Sequence, residues 1–588
     1  MYGFFNRILT VDAERRSFEI EEIPDSVLKR GLGGKGLGSR LLLDKNPPGV
    51  DPLSPENRII FATGPVTGSK VQGSCRYGVF SKSPLTGFYA ESYSGGRVPE
   101  AVSRTGFDAL IIKGASSTPV ALEINEDGAR FHPAGDLWGM DTHETEREAA
   151  RRWAAKTTGL RKSGAVVIGP AGENLVRFAL IKNDLWRSAG RTGMGAVLGS
   201  KKIKALVFNG GREREWADPA LMDDFVKAVK KKAKTDAGVK AYQSLGTPML
   251  VATMNEKGGF PAKYWSQGVC AHWEKISAQA LKERCRVRPR ACLRCNMACG
   301  RLSTIKSGRH AGLTIEGPEY ETIYAFGGLC LIDSIEEIAY LNDICDRLGL
   351  DTITAGNLCA FAIEASRRGR LKEKLDYGDP DLIAGLLRRI AFREGLGDLL
   401  AEGIKAAARE WGLEDLAVHV KGLEPAGYDP RLLKGTGLSY AVAARGACHL
   451  RATFYKPELA GMSPPDELEG KAGLLVRYED RLALFDTLIL CRFFRDMYEW
   501  EELVKIVESA TGLGLDQRNL EDLAKGVIDD TRRFNLREGL TPADDTLPPR
   551  LYKEPLESGA AITEKELHRL RDDYYQARGW DEEGRVIN

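Results

Sequence analysis

The pattern of apolar residues changes period once, and that change restricts the fold more than any other feature of the chain. Up to about residue 210, short runs bounded by glycine-rich turns read as strands: Arg7 to Val11, Arg58 to Ala62, Ala109 to Ile112, Val120 to Ile124, Ala165 to Ile168 and Ala205 to Phe208. After Asn209-Gly210-Gly211 the spacing becomes helical, beginning with Pro219 to Lys234, whose Lys230-Lys231-Lys232 reads as a solvated face. A chain of 588 residues also exceeds the roughly 250–300 at which one core stops growing. The expected fold class is α+β, with a β-rich domain over 1–210 followed by two mainly helical domains, 211–425 and 426–588. The second boundary is placed at the Gly422-Leu423-Glu424-Pro425-Ala426-Gly427 interruption.

Charge and composition remove several function classes. Lys plus Arg number 84 against 82 Asp plus Glu, a net +2, so the chain lacks the basic excess of a general nucleic-acid binder. No apolar run approaches the roughly 18–20 residues of a membrane helix. The start, Met-Tyr-Gly-Phe-Phe-Asn-Arg, enters a strand pattern directly, with no signal core, which predicts a cytoplasmic protein. Glycine, 64 of 588 or about 11% against a usual ~7%, clusters beside ordered apolar segments, as when backbone is held close to something bulky.

Eleven cysteines in such a chain point to ligands in preference to a disulfide framework. Cys292-Leu-Arg-Cys295-Asn-Met-Ala-Cys299 is a C-x2-C-x3-C run that can place three thiolates around an iron–sulfur cubane and leaves one iron to be ligated from elsewhere. Cys75, Cys270, Cys285, Cys330, Cys345, Cys359, Cys448 and Cys491 are the candidates. Zinc is the alternative, although no second C-x2-C or close His pair accompanies the run. Arg284, Arg286, Arg288, Arg290 and Arg294 crowd the same region, where positive charge would raise a cluster's potential and attract an acidic electron carrier.

The glycine-rich run Gly31-Leu-Gly33-Gly34-Lys35-Gly36 follows a probable helix, Asp25 to Arg30, where a dinucleotide site needs a strand, and it lacks the Lys-Ser/Thr of a P-loop. Three further segments combine permissive backbone with Arg, Lys or Ser donors suited to phosphate: Gly73 to Gly87, Glu91 to Gly96, and Arg187 to Val197.

Taken in order, Gly31 to Gly38, Ala62 to Pro65, Lys82 to Gly87, Ile168 to Asn174, Gly190 to Lys201, the cysteine run, Gly317 to Thr322 and Arg445 to Leu450 resemble the tungsten-dependent aldehyde ferredoxin oxidoreductase family, from Gly3 to about residue 535. The resemblance implies a β-rich pterin-binding base under two helical domains, enclosing tungsten (or molybdenum) held by two molybdopterins. Asp346-Arg-Leu-Gly349-Leu350-Asp351 matches the family's first pterin motif. Asp486-Thr-Leu-Ile-Leu490-Cys491 matches the second, with Ile489 where the motif has Gly. By the same resemblance Cys491 is the fourth ligand of a [4Fe-4S] cluster completed by Cys292, Cys295 and Cys299. Arg76 and Arg187 contact phosphate, Ser188 and Tyr93 fall where the family supplies backbone carbonyls to a magnesium joining the two pterins, and Gly95 and Gly190 are cofactor-binding. Tyr93 departs from the family's Asn. The subunit-bridging iron of some relatives is not expected, because 335–395 contains no histidine.

Glu321 and His449 become the implied acid/base pair, with Glu319 as alternate. The implied reaction is aldehyde plus water to carboxylic acid, with two electrons leaving through the cluster to ferredoxin or an iron–sulfur partner subunit, in a homo- or hetero-oligomer. Two other functions are consistent with the residues. One is the catalytic subunit of an aromatic acyl-CoA (benzoyl-CoA type) reductase; the other is a cluster-only electron-transfer subunit, suggested by Tyr93 and Ile489. Cys448 beside His449 lacks the support a Cys–His nucleophile would need, and Cys270-Ala-His272 reads as packing.

Overall fold

A computed structural model describes residues 1–587. Its N-terminal part is built on two six-stranded sheets. The first has β1 (Arg7–Asp12), β2 (Ser17–Glu22), β3 (Ile59–Ala62), β4 (Tyr77–Lys82), β5 (Tyr89–Ser94) and β6 (Ala109–Lys113), in the order β2-β1-β6-β3-β4-β5 and parallel only at β1–β6. The second has β7 (Val120–Asn125), β8 (Gly128–Pro133), β9 (Lys162–Val167), β10 (Ile181–Asn183), β11 (Arg187–Ala189) and β12 (Ile203–Gly210), ordered β11-β10-β9-β12-β7-β8 and parallel only at β7–β12.

Side chains alternate along each strand, so each face has its own core. Leu9, Val11, Phe61, Val79 and Leu110 meet Leu122, Ile124, Val166 and Leu206 between the sheets. The opposite face of the first sheet, through Ile8, Ile60, Phe80 and Ile111, packs on Leu484, Phe485, Leu488 and Leu490 of the helical part. All six strands read from the sequence are present, with ends shifted by up to three residues. The others were not read. β4 is buried along its whole length and β5 nearly so, which removes the alternation that marks a half-exposed strand, while β10 and β11 have three residues each.

Beyond residue 210 the structure is mainly helical, apart from a hairpin and short edge strand at Cys285–Arg290, Gly300–Ile305 and Thr314–Glu316. The helix Pro219–Thr235 is capped by the Asp218 side chain and buries Met222, Phe225, Val226 and Val229, leaving Lys230 to Lys232 exposed. No helix among the described residues is long and apolar enough to cross a membrane, and every cysteine is free.

Two helix ends dock on the N-terminal sheets in the same way. Ile335–Leu348 ends at Gly349 in the left-handed region (φ 82°), with Leu350 N–H donating to the Cys345 carbonyl at 2.9 Å. Lys471–Leu488 ends at Ile489, also left-handed (φ 61°), with Leu490 N–H donating to the Phe485 carbonyl at 2.7 Å. Both are Schellman-type endings, and the Ile that departs from the family motif adopts the backbone the motif requires. A glycine receives each end. A Cβ on Gly169 would lie 2.5 Å from the Leu348 carbonyl oxygen, and one on Gly34 would lie 2.2 Å from that of Asp486. The run Gly31 to Gly36 therefore serves close backbone packing, and it follows the helix Asp25–Gly31, as the dismissal of a dinucleotide site requires.

Candidate functional site

The loop between the Cys285–Arg290 and Gly300–Ile305 strands carries Cys292, Cys295 and Cys299 to a cavity of about 220 Å³, and Cys491, just after the second helix end, reaches the same cavity. Nearly two hundred residues separate the run from Cys491, yet one space gathers the four thiols. Cys491 N–H donates to the Gly73 carbonyl at 2.9 Å, which fixes its backbone. Arg76 Nη2 lies 3.4 Å from Cys491 Sγ. Burial would lower the Arg76 pKa, but Cys491, Cys75 and Cys292 outweigh it and hold the guanidinium above its ordinary value. Gly95 leaves room for Cys292, since a Cβ there would sit 3.0 Å from its sulfur.

Cys75 is a fifth thiol in this cavity. Its hydrogen bonds to Cys292 and Cys295, together with burial, push its pKa well up, while those bonds draw the other two down. Among the described residues no three His, Cys, Asp or Glu side chains form a single-ion site. Thiols spread around a space fit a polynuclear iron–sulfur body better than one tetrahedral zinc.

The two motif aspartates are anchored differently. Asp346 accepts from Lys182 Nζ at 2.5 Å and Asn342 Nδ2 at 2.8 Å, and Lys182 also reaches Ser188 Oγ at 3.0 Å. Asp351 caps the next helix, accepting from Ile353 N–H at 3.1 Å, and takes Arg191 Nε at 2.9 Å. Asp486 is bound by Arg492 and by Arg451 at 3.1 Å, and Arg451 also pairs with Glu91, as Lys35 does at 3.1 Å. Tyr93 donates to Glu91 at 2.6 Å, so its side chain is committed to this network. Cations exceed carboxylates there, and Arg451 Nε and Nη2 and Arg445 Nε are buried without acceptors. Orphaned cationic donors beside a motif aspartate suit the phosphate and acceptor-rich rings of a pterin cofactor.

Other expected residues fall into place less uniformly. Arg187 lines the thiol cavity but is ion-paired with Glu316, and Ser188 lines it too. Gly190 follows β11 with its nearest obstacle, Ser188 Cβ, 3.6 Å from an added Cβ, so sterics do not demand glycine there. Lys82 is not a phosphate donor, because it pairs with Glu538 at 2.6 Å. Arg284, Arg286 and Arg288 are exposed, Arg290 stacks over Trp186, and Arg294 is tied to the Gly68 carbonyl and Glu100. Cys270 and His272 lie against each other and the Gly327 carbonyl, which is packing.

A second cavity of about 190 Å³ shares Arg76, Glu319 and Phe493 with the first and contains Glu321 and His449. Glu321 stands in the helical turn Tyr320–Thr322, which continues as a wider π-helical segment, Ile323–Leu329. Its Oε2 accepts from Gly427 N–H at 2.9 Å, while Oε1 faces His449 Nε2 at 3.5 Å, the limit of a direct hydrogen bond. Glu321 Oε1 and His449 Nδ1 are otherwise without partners. Burial raises the Glu321 carboxyl to about 7. Burial, and then Arg191, Arg445, Arg492 and Arg451, hold His449 well below its usual value, hence neutral. Glu319 lies between the cavities, bonded by Thr247 and raised by burial. Sequence reasoning passed over Lys35, Glu91, Arg445, Arg451 and Arg492 as site groups, and left Cys75 as one of eight candidates for the fourth thiol. Charged residues next to Cys448 and Cys491 within apolar stretches were the available signal.

An oxidoreductase needs groups suited to electrons and groups suited to protons, and a cavity lined by thiols beside one lined by a titratable Glu–His pair offers both kinds. Residues 8–210 match "Aldehyde ferredoxin oxidoreductase, N-terminal domain" and residues 224–588 match "Aldehyde ferredoxin oxidoreductase, domains 2 & 3". The chain belongs to the aldehyde ferredoxin oxidoreductase family. It is 36% identical to the tungsten-containing aldehyde ferredoxin oxidoreductase of Pyrococcus furiosus, over all of this chain and 98% of that one. It is 30% identical to an aliphatic sulfonate oxidoreductase, WOR-like subunit, of the same organism, over 99% and 96%. Its fold matches the active site complex BamBC of benzoyl coenzyme A reductase with a TM-score of 0.84 at 24% identity, covering 100% and 96%.

Proposed function

We propose that the chain oxidises aldehydes to carboxylic acids at a tungsten (or molybdenum) bis-molybdopterin centre. Two electrons leave singly through a [4Fe-4S] cluster held by Cys292, Cys295, Cys299 and Cys491 to ferredoxin or an iron–sulfur partner subunit in the cytoplasm. The observation that carries the reading is that the thiol cavity and the Glu321–His449 cavity are neighbours, with Arg76, Glu319 and Phe493 in the walls of both. The relative with 36% identity bears the corresponding name.

In balance, R-CHO and water give R-COOH, two electrons and two protons. When bound, the metal–pterin centre supplies the two-electron acceptor and the cluster its one-electron outlet. The protein supplies the rest. Asp346, Asp351 and Asp486 at the helix ends, with Arg191, Arg451 and Arg492, would hold the pterins, and Arg76 with Arg187 would meet phosphate, whose charge a magnesium ion would help to offset. Glu321, partly ionised near neutrality, takes a proton at Oε1 from the attacking water. Neutral His449 donates a hydrogen bond to the carbonyl oxygen. The buried walls exclude bulk water from both.

Metal analysis and a substrate panel test this together. About one tungsten or molybdenum and four irons per chain, with aldehyde turnover and no benzoyl-CoA reduction, is the expected result. Acyl-CoA reduction without aldehyde turnover would replace it with the reductase reading, and iron without the heavier metal with the electron-transfer one. The ligand assignment is tested separately: Cys75→Ala should keep four irons, whereas Cys491→Ala should lose at least one and the cluster's EPR signal. Because Arg284, Arg286 and Arg288 present an exposed basic edge near the cysteine loop, turnover with ferredoxin should fall as salt rises. A salt-independent rate would rule out steering.

A further inference from the structure

The Glu321–His449 cavity adjoins a larger one of about 460 Å³, and the two share Tyr242, Leu250, Tyr455, Phe493 and Arg495 in their walls. A substrate that reached Glu321 by way of the larger cavity would pass these side chains. One is charged. Arg495 is only 1% exposed, and its Nη1 donates to the Arg492 carbonyl at 2.8 Å. Nε and Nη2 have no acceptor. The nearest carboxylate, Asp496, stands 3.9 Å from Nε, is 61% exposed, and is already bonded to Lys456 Nζ at 2.8 Å. The Tyr242 hydroxyl lies beside the guanidinium without satisfying either free N–H.

A buried guanidinium with two unmet donors is costly unless an acceptor arrives. The unmet pair, Nε and Nη2, forms the side edge of the planar fork, the edge that binds a carboxylate through two parallel hydrogen bonds. Around it, Tyr428 and Tyr455 stack at 3.9 Å, and Phe493 and Tyr242 complete an aromatic wall. Such walls suit a flat ring or a short chain between the two polar ends.

We infer that Arg495 is the anion anchor of the substrate pocket and that the preferred substrates are small aldehydes carrying a carboxylate at the end remote from the formyl group, aryl ones above all. Arg495 binds the carboxylate while the formyl group meets Glu321 and His449. The inference rests on the aldehyde reading above for its reaction, but not for its binding site.

The test uses the holoenzyme with 4-carboxybenzaldehyde and benzaldehyde. The wild type is expected to favour the charged aldehyde in kcat/KM. Arg495→Met is expected to shrink that preference by about 100-fold, chiefly through KM, and Arg495→Lys by about 10-fold, since a point charge lacks the fork. Tungsten and iron contents matching wild type show that the variants fold and load. Calorimetric binding of terephthalate to the oxidised holoenzyme reads the same subsite without turnover and should weaken in the same order. A wild type without preference for the charged aldehyde, or a preference unchanged in Arg495→Met, overturns the anchor even if both aldehydes are oxidised. Terephthalate binding lost with Arg495 in an enzyme that oxidises neither aldehyde would sustain the anchor and overturn the aldehyde reading instead.

Discussion

Glu321→Gln is expected to lower kcat by about 10²–10⁴-fold, the usual worth of a positioned general base, and to remove the rise of rate with pH. The sign follows from the direction of the shift. Burial raises the carboxyl to about 7, so its ionised, proton-accepting form increases as pH climbs through that value, and the rate should increase with it. An acid role would give the opposite slope. His449 is not expected to supply this limb, because burial and the surrounding arginines hold it well below its usual value. The amide keeps the bond from Gly427 N–H and nearly the same volume, so the loss reads chemistry more than packing. Two other buried carboxylates, Glu316 and Glu424, are also pushed up to about 7. The pH profile of each Gln variant therefore belongs in the experiment. If the limb persists in Glu321→Gln and vanishes in Glu316→Gln, the titrating base has been misassigned.

What the sequence displayed, and what it concealed, follows from whether local or distant residues decide a feature. β1, β3, β6, β7, β9 and β12 were legible because each has a short apolar run next to glycine-rich turns. β4 and β5 were not, since burial on both faces leaves Tyr77–Lys82 and Tyr89–Ser94 without alternation and with Gly, Ser and Tyr inside the strand. The cysteine run was legible as spacing, whereas Cys491 needed the family resemblance. Cys75 shows why: by residue type alone it stood equal to Cys491 as a candidate, and in space both reach the same cavity. Arg451, Glu91 and Lys35 form one network across more than four hundred residues of chain. No local period records such a contact. Arg495 is a similar case, because its meaning lies in two missing acceptors.

Gly34→Ala is expected to be strongly damaging, to stability and to the second helix end together. Gly34 has φ +42°, already unfavourable for a side chain, and its added Cβ would stand 2.2 Å from the Asp486 carbonyl oxygen and 2.7 Å from that of Thr487. Backbone at a helix end cannot retreat without opening the turn that holds Asp486 against Arg451 and Arg492. The clash and the φ together should cost roughly 3 kcal/mol or more, a fall of roughly 6–12 °C in the unfolding midpoint for a domain of this size. Tungsten content should fall with it, because the aspartate of the second helix end is displaced. The companion variant separates backbone from packing. Ile489→Gly restores the residue the family motif prefers and relieves about 1–2 kcal/mol of left-handed strain. It also deletes a side chain that is 1% exposed and fills the space against Gly34 and Gly64, a loss of about 2–5 kcal/mol for Ile cut back even to Ala. Packing outweighs strain, so Ile489→Gly should lower the midpoint while leaving tungsten bound. A rise in midpoint would mean that the left-handed strain at Ile489 exceeds what its buried side chain contributes, and a Gly34→Ala protein with normal midpoint and metal content would mean that the two backbones are not in contact.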